Sequence, residues 1–551
     1  MDARAGREAL APSQAAGGTE PQLASQVVGR ASVVREGREA SQGPGHRVAG
    51  PLGILAGGGS LPTAVAREVT ARGEDVHIVG LRGEADQAIE AYSHDWVYWG
   101  AIGALLRAFR SAGVRRLAIV GSVTRPDLAH IRPDLGFFTH LPALLKLMRG
   151  GDDSVLSRVV RFFERRGFDV VGVHDVAPTL VVGEAALVEG AITATHQRDM
   201  TLGAQLLDRL GPFDIGQAAV VREGRVLGIE AAEGTDRLLE RVAVLDGRAL
   251  TPPTTPPEAE ADGAAHAWPN GVLIKRPKPG QELRVDMPAI GPRTIEGCAR
   301  AALAGLALRS GQVLIAEREE TVARATASGL FILGRADGGE QSDEDGAGTA
   351  APTPNGASDA GRAAQPTRKV RAHDEARIDH ITVVRAATPQ RAHPDVELAL
   401  GRYRAPAPAK IRSDVVKAAQ ITRALQPFTT GQAVIVAQHY VLAVQAGEDL
   451  LALIERAATL RQWGRRQARR RLGVLFIARF DAPFRRQRAA GEEVAAWCAL
   501  IQSTADARLA GIAMGEQALA MGHDQPSVVK AAAAVRLHLI VHRTEPRRAS
   551  T

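Results

Sequence analysis

Short apolar runs, each closed by a glycine or a polar turn and followed by a stretch with helical spacing, recur along this chain from residue 52 onward. Leu52 to Leu55 runs straight into AGGGSLP (56–62), a helical pattern covers Thr63 to Arg72, and Val76 to Val79 reads as the next strand. Strand, glycine turn, helix, strand is the opening of a doubly wound α/β unit. The pattern continues with a helix over Ala101 to Ala112, a strand over Leu117 to Val120, a helix from Gly151-Asp152-Asp153-Ser154 to Arg166, and a strand over Val170 to Val173.

From Asp199 the order of elements changes. A helix to Leu210 is followed by two strands, Ala218 to Arg222 and Arg225 to Ile229, whose two-residue Glu223-Gly224 connection predicts a hairpin. The acidic stretch EAAEGTD (230–236) then opens a helix to Val244. GVLI (271–274) reads as a buried strand, and Pro277 and Pro279 exclude a helix after it because each fixes φ and removes a donor. Arg284 and Asp286 are expected in an extended run, two apart and on one face. An Ala-rich helix from Thr294 to Leu308 precedes a last strand, helix and strand ending at Gly334.

The fold class expected is therefore α/β: an N-terminal Rossmann-like doubly wound domain over 49–190 and a C-terminal α/β domain over 195–334. Residues 1–48 and 335–375 lack periodicity and are rich in small and polar residues, which predicts a disordered tail and a disordered linker. Beyond the linker the chain repeats itself. PFDIGQA (212–218) is echoed by PFTTGQA (427–433) at an offset of 215, which also carries Glu233 onto Glu448 and Arg241 onto Arg456. Gly271-Val-Leu-Ile returns as Gly473-Val-Leu-Phe, so residues 376–545 read as a degenerate duplicate of the C-terminal domain. Asp214 becomes Thr429, Thr235 and Asp236 become Leu450 and Leu451, and nothing there matches KRPKPGQELRVD. A copy that keeps strands and sheds polar residues is expected to pack on the first as a built-in pseudo-dimer partner.

Composition adds constraints. Aromatic residues are only 4% of the 551, so aliphatic packing carries the core. The net charge of +7 and pI near 9.8 come from clustered arginines, which suit anionic partners such as phosphates or acidic lipid surfaces. The run Arg461 to Arg471 is expected to be a solvated helix face, with lipid headgroups as the functional alternative; no nucleic-acid partner is expected, because only Trp463 interleaves for stacking. Two distant cysteines, Cys298 and Cys498, predict neither a disulfide framework nor a zinc site. No apolar run reaches 18 residues and no signal-peptide layout opens the chain, so a cytoplasmic protein is expected.

Candidate chemistry collects at the predicted strand ends. Gly57, Gly58 and Gly59 would let backbone approach a phosphate at a helix start, while the absence of an acid after the second strand disfavours nicotinamide binding. Ser122 and Arg125 follow another strand; Arg125 could grip an anion or pair with Asp127. Asp152 and Asp153 sit where capping accounts for one acid and leaves the other for a metal or a substrate hydroxyl. Lys275, Arg276, Lys278 and Arg284 beside Asp286 have the composition of a phosphate-ester site, and equally that of a basic loop with one exposed ion pair.

Taken in order, AGGGSLP, GSVTRPD, GDDS, DIGQAAVV, EAAEGTD and KRPKPGQELRVDMPAIGPRT (residues 56–294) make the chain resemble the UDP-2,3-diacylglucosamine pyrophosphatase family of lipid A biosynthesis, metal-dependent type, over about 52–334. The resemblance implies water attack on the α-phosphate of a UDP-linked diacylated glucosamine, with release of UMP. It puts the family's essential acid on Asp286, which would hold Mg²⁺ (or Mn²⁺) or orient the water, with Glu233 and Asp236 as further metal ligands. The implied substrate contacts are Gly57, Gly58, Gly59, Ser122, Arg125, Asp152, Asp153, Gln217, Thr235, Lys275, Lys278, Arg284 and Thr294. It also leaves open a peripheral contact with the inner face of the cytoplasmic membrane. A non-catalytic nucleotide-sugar binding or regulatory protein on the same scaffold is the alternative.

Overall fold

The structure, a computed structural model, describes residues 50–123, 132–139, 152–245, 270–336, 381–384, 404–406, 409–428, 430–460, 471–479, 490–515 and 526–542. The expected tail lies outside these residues, and so does the expected linker apart from Arg335, which ends a strand, and Ala336.

The N-terminal sheet is fully parallel, in the order β3-β2-β1-β4-β5, where β1 is Leu52–Ala56, β2 Val76–Leu81, β3 His94–Val97, β4 Arg116–Val120 and β5 Asp169–Val171. Ile54, Ile78 and Leu117 are fully buried, as strands covered on both faces require. The strand order reverses between β1 and β4, so their carboxyl ends diverge into a crevice, the usual ligand position of such sheets. Helices α1 (Leu61–Ala71) and α2 (Ile102–Ser111) flank the sheet, and α3 (Asp152–Glu164) precedes β5. The strand expected to reach Val173 stops at Val171. Gly172 breaks it, and its amide donates to Asp175 Oδ2 at 2.9 Å at the start of a single helical turn, α4 (Val173–Val176).

The second sheet runs β6-β13-β11-β9-β7-β8: β6 Ala186–Val188, β7 Ala218–Arg222, β8 Arg225–Ile229, β9 Val272–Lys275, β11 Gly305–Arg309 and β13 Phe331–Arg335. A two-residue parallel pair, β10 (Ala289–Ile290) and β12 (Leu314–Ile315), lies beside it. Its helices are α5 (Ala194–Leu210), α6 (Thr235–Leu245), α7 (Pro292–Arg300) and α8 (Arg318–Ala327). Because β6 pairs with β13, the strand at 186–188 belongs to this sheet rather than to the N-terminal domain. The expected helix to Leu308 is corrected: α7 ends at Arg300, Ala302 takes φ 46°, and the Leu303 amide closes the end on the Cys298 carbonyl at 3.0 Å. Residues 305–309 then form β11 between β9 and β13, where their apolar side chains are covered.

A third sheet repeats five strands of the second and adds two at one edge. It runs β15-β14-β20-β19-β18-β16-β17, with β14 Ile381–Val384, β15 Arg404–Pro406, β16 Ala433–Ala437, β17 Tyr440–Val444, β18 Val474–Ile477, β19 Gly511–Met514 and β20 His538–His542. Its helices are α9 (Ala409–Leu425), α10 (Leu450–Leu460), α11 (Ala490–Asp506) and α12 (Pro526–Ala534). The β7/β8 hairpin bulge between Val220 and Val221 recurs between Ile435 and Val436. Asp199 caps the first hairpin by accepting from the amides of Glu223 and Gly224, as Asp414 does for Gln438 and His439. One apolar cluster draws on both repeats, with Leu210 and Ile274 from the first and Val415, Leu425 and Phe476 from the second.

Candidate functional site

A cleft of about 530 Å³ lies where the carboxyl ends of β1 and β4 face the segment from Leu283 to Thr294. On the N-terminal side the glycine turn is locked to the loop after β4: the Gly58 amide donates to the Ser122 carbonyl at 2.6 Å and the Ser122 amide returns to the Gly58 carbonyl at 2.9 Å. A Cβ on Gly57 would stand 2.4 Å from that Ser122 carbonyl, so a side chain there would break the lock. Gly58, Gly59 and Ser122 line the cleft, as does Ser60, whose hydroxyl donates across it to Glu317 Oε1 at 2.9 Å.

On the other side Arg284 and Asp286 both line the cleft, but not from a strand. The Glu282 carbonyl accepts from the Val285 and Asp286 amides at 3.1 and 3.0 Å, which folds 283–285 into a turn and corrects the expected extended run. Gln281 sets the acid within it: its buried side-chain amide donates to both the Asp286 carbonyl (2.8 Å) and Asp286 Oδ2 (2.6 Å). Arg284 is engaged bidentately by Glu282, at 2.8 Å to each oxygen, and reaches Glu164 of α3 at 2.8 Å. These carboxylates hold its pKa above the ordinary arginine value, and Arg284 in turn pulls Glu282 below the usual carboxylate range. Asp236, at the start of α6, also lines the cleft and is paired with Arg293, and Thr294 lines it from the first turn of α7.

Behind this surface lies a small polar relay. The buried Lys275 Nζ donates to Thr235 Oγ1 at 2.7 Å, and that hydroxyl donates to Glu230 Oε2 at 3.0 Å. Burial pushes Lys275 down and Glu230 up, each toward its neutral form, while their mutual attraction opposes both shifts. The thiol of Cys298 is also pushed up by burial. In the repeat the positions are neutral or apolar: Glu230 corresponds to Gln445 and Thr235 to Leu450, and Ile477 stands opposite Ala433 just as Lys275 stands opposite Ala218. The sheet therefore folds without the relay.

The structure does not bring every expected residue to the cleft. Glu233, expected as a metal ligand, points the other way: it is 1% exposed and bound by Arg241 and Arg456, both at 2.9 Å, in the seam between the repeats. This corrects its assignment, because two guanidinium groups neutralise it there. Lys278 is paired with Asp214 and Gln217 contributes its carbonyl to the Arg276 amide at 2.9 Å; neither lines the cleft. Arg125 and the side chains of Asp152 and Asp153 lie outside the described residues. Ser60, Gln281, Arg293, Glu317 and Glu230 were not named as site residues from sequence; all but Glu317 carried a signal, as members of the AGGGSLP, EAAEGTD and KRPKPG to GPRT blocks.

Among the described residues there is no cluster of three or more His, Cys, Asp or Glu side chains placed as a metal cage. Asp236 and Asp286 share one cleft, a donor set that fits a hard cation held by one or two carboxylates together with substrate phosphates.

Comparison with known proteins places the chain. Residues 51–180 match the family model described as LpxI N-terminal domain, and residues 183–333 and again 401–540 match the LpxI C-terminal domain. The chain is 39% identical over 283 residues to the UDP-2,3-diacylglucosamine pyrophosphatase LpxI of Caulobacter vibrioides, an alignment covering 51% of this chain and 96% of that protein.

Proposed function

This chain belongs to the LpxI family, and on that premise we propose that it hydrolyses the diphosphate of UDP-2,3-diacylglucosamine. Water attacks the α-phosphorus, the bridging P–O bond breaks, and UMP and 2,3-diacylglucosamine 1-phosphate leave. The observation that carries the reading is Asp286, held by Gln281 in a cleft backed by the Lys275, Thr235 and Glu230 relay, none of which the repeat preserves as a set.

A diphosphate diester repels nucleophiles, so cations must offset its charge before water can add. Lys275 contributes positive potential from behind Asp236, and Arg284 and Arg293 stand at the cleft surface. The glycine turn and the start of α1 offer amides to a phosphate oxygen. Asp286 orients the attacking water or receives its proton. A bound Mg²⁺ would be held by Asp286 and Asp236 and would supply charge neutralisation at the phosphates.

The test is release of UMP from the diacylated UDP-sugar, with and without Mg²⁺, by wild type and by Asp286→Asn. Turnover that the substitution abolishes supports the reading; tight binding without turnover by wild type would instead favour a non-catalytic nucleotide-sugar binding protein.

Two partner readings accompany it. Leu135 and Phe138 are exposed in the same segment as Arg132, whose guanidinium lies 4.3 Å over the exposed Tyr98 ring, an apolar and basic combination suited to anionic lipid. Among the described residues no helix is long and apolar enough to cross a membrane, so such contact would be peripheral; failure to sediment with anionic vesicles would exclude it. The shared apolar cluster supports reading the repeat as a built-in stand-in for a second subunit, and a homodimer joined through the first C-terminal domain would rule that out.

A further inference from the structure

Four charged side chains close the seam between the repeats, and they obey the internal symmetry. Arg241 binds Glu233 within its own domain and Glu448 across the seam, each at 2.9 Å, and its third bond goes to the Ile229 carbonyl at 3.2 Å. Arg456 mirrors this with Glu448 in its own repeat, Glu233 across the seam at 2.9 Å, and the Val444 carbonyl at 3.0 Å. Every residue maps onto its counterpart at the offset of 215. The side chains of Glu233 and Glu448 are 1% and 2% exposed, and those of the arginines 13% and 11%. The Gly447 amide also crosses the seam, to the Leu227 carbonyl at 3.1 Å.

The symmetry of the seam contrasts with the asymmetry of what it borders. Glu233 lies in the middle of the loop from Glu230 to Asp236, where Gly234 adopts φ 81°. One end of this loop supplies Glu230, and the other supplies Thr235 to Lys275 and Asp236 to the cleft. In the second repeat the matching loop has Gln445, Leu450 and Leu451, so it feeds no charged relay. Half of the symmetric network is thus spent on holding a loop that only the first repeat uses chemically.

We propose that the second repeat acts on the cleft through Arg456, a positioning residue that fixes Glu233 and thereby the 230–236 loop presenting Thr235 and Asp236. The proposal rests on the cleft being the catalytic site. Removing Arg456 alone would leave two buried carboxylates with one guanidinium, a cost in folding that would obscure the result. Arg456→Met combined with Glu448→Gln keeps the charge balanced, since Glu233 retains Arg241, while the repeat loses its grip on Glu233.

Amide hydrogen exchange of residues 230–236 and steady-state hydrolysis are measured on the full chain. In the double variant, exchange of the loop is expected to accelerate at least about tenfold, with kcat reduced about ten- to a hundredfold and KM within about twofold, the pattern of a misplaced group rather than lost binding. Arg456→Lys, which keeps the charge without the fork, is expected to recover part of both. Loop exchange identical to wild type in the double variant, or faster exchange with unchanged kcat, overturns the proposal. Should the double variant not fold, the same two measurements on Arg456→Lys decide, and loop exchange or kcat equal to wild type overturns the proposal there too. If wild type itself proves inactive, the hydrolase reading fails, and the exchange measurement separately shows whether Arg456 orders the loop.

Discussion

Replacing Glu230, Thr235 and Lys275 by the residues the second repeat carries, Gln, Leu and Ile, should produce a chain that is more stable and inactive. In wild type, Lys275 is 5% exposed and its ammonium has Thr235 as its hydrogen-bond partner, with the half-buried Glu230 one bond further on. Desolvation of both charges works against the folded state, and exchanging a buried ionic group for packed neutral residues is commonly neutral or stabilising by about 1–4 kcal/mol. The repeat shows that the same strand pairing accepts an isoleucine at the Lys275 position. For a domain of about 150–250 residues a gain of that size corresponds to a melting increase of roughly 2–4 °C per kcal/mol. Amide exchange of β7 and β9 under native conditions reports the right domain, and UMP release reports activity. Slower exchange with no turnover is expected. A triple variant less stable than wild type, or one that still hydrolyses the substrate, would refute the view that these residues serve chemistry at the expense of stability.

Removing only one partner should have the opposite sign. Lys275→Met leaves Glu230 without its compensating charge, and its loss of stability is expected to approach about 3–5 kcal/mol where Glu230 is ionised. Glu230 already has a raised folded-state pKa, so its contribution is fully present below the unfolded carboxylate value near ~4.3 and is lost as pH rises through the folded value. The deficit of the variant should therefore grow from pH 5 to pH 8 in urea titrations; a deficit independent of pH would contradict the assignment. Cys298 is fully covered and its thiol is pushed up by burial, whereas Cys498 is half-buried. A disulfide exchange reagent should label Cys498 first in the native chain and reach Cys298 only on unfolding, as peptide mapping of the labelled protein would report.

The sequence declared most strands because continuous apolar runs survive burial on both faces: β1, β2, β7 and β8 begin at the residues expected, and β9 one residue later. It hid β3, whose HDWV mixes polar and apolar residues at the edge of its sheet, and it ran α7 on into β11 because an Ala-rich stretch fits either period. The repeat was legible because alignment with itself needs no structure, and the matching orders β13-β11-β9-β7-β8 and β20-β19-β18-β16-β17 follow from it. Side-chain direction was not legible. EAAEGTD marks a loop rich in acids, but that Glu233 faces two guanidinium groups follows from Arg241 and from Arg456, the latter more than 200 residues away. Glu230 stood among those acids, but its role shows only once Thr235 and Lys275 are seen to meet it.

Side-chain direction matters equally for Arg284. Its charge looks available for phosphate in the sequence, yet in the structure it is already engaged by Glu282 and by Glu164, which reaches it from α3 of the opposite domain. A phosphate entering the cleft must compete with these carboxylates, so they tune substrate affinity as much as they fix the guanidinium. The pairs are partly exposed, and such ion pairs are worth about 0.2–1 kcal/mol each, a factor of roughly 1.4 to 5 in a binding constant. Glu164→Gln, which also unlinks Arg284 from the N-terminal domain, is expected to lower KM within that range and leave kcat nearly unchanged, with the effect shrinking at high ionic strength. A raised KM would mean instead that the bridge to Glu164 holds the cleft in its binding geometry, and that Arg284 serves the closure of the two domains before it serves the phosphate.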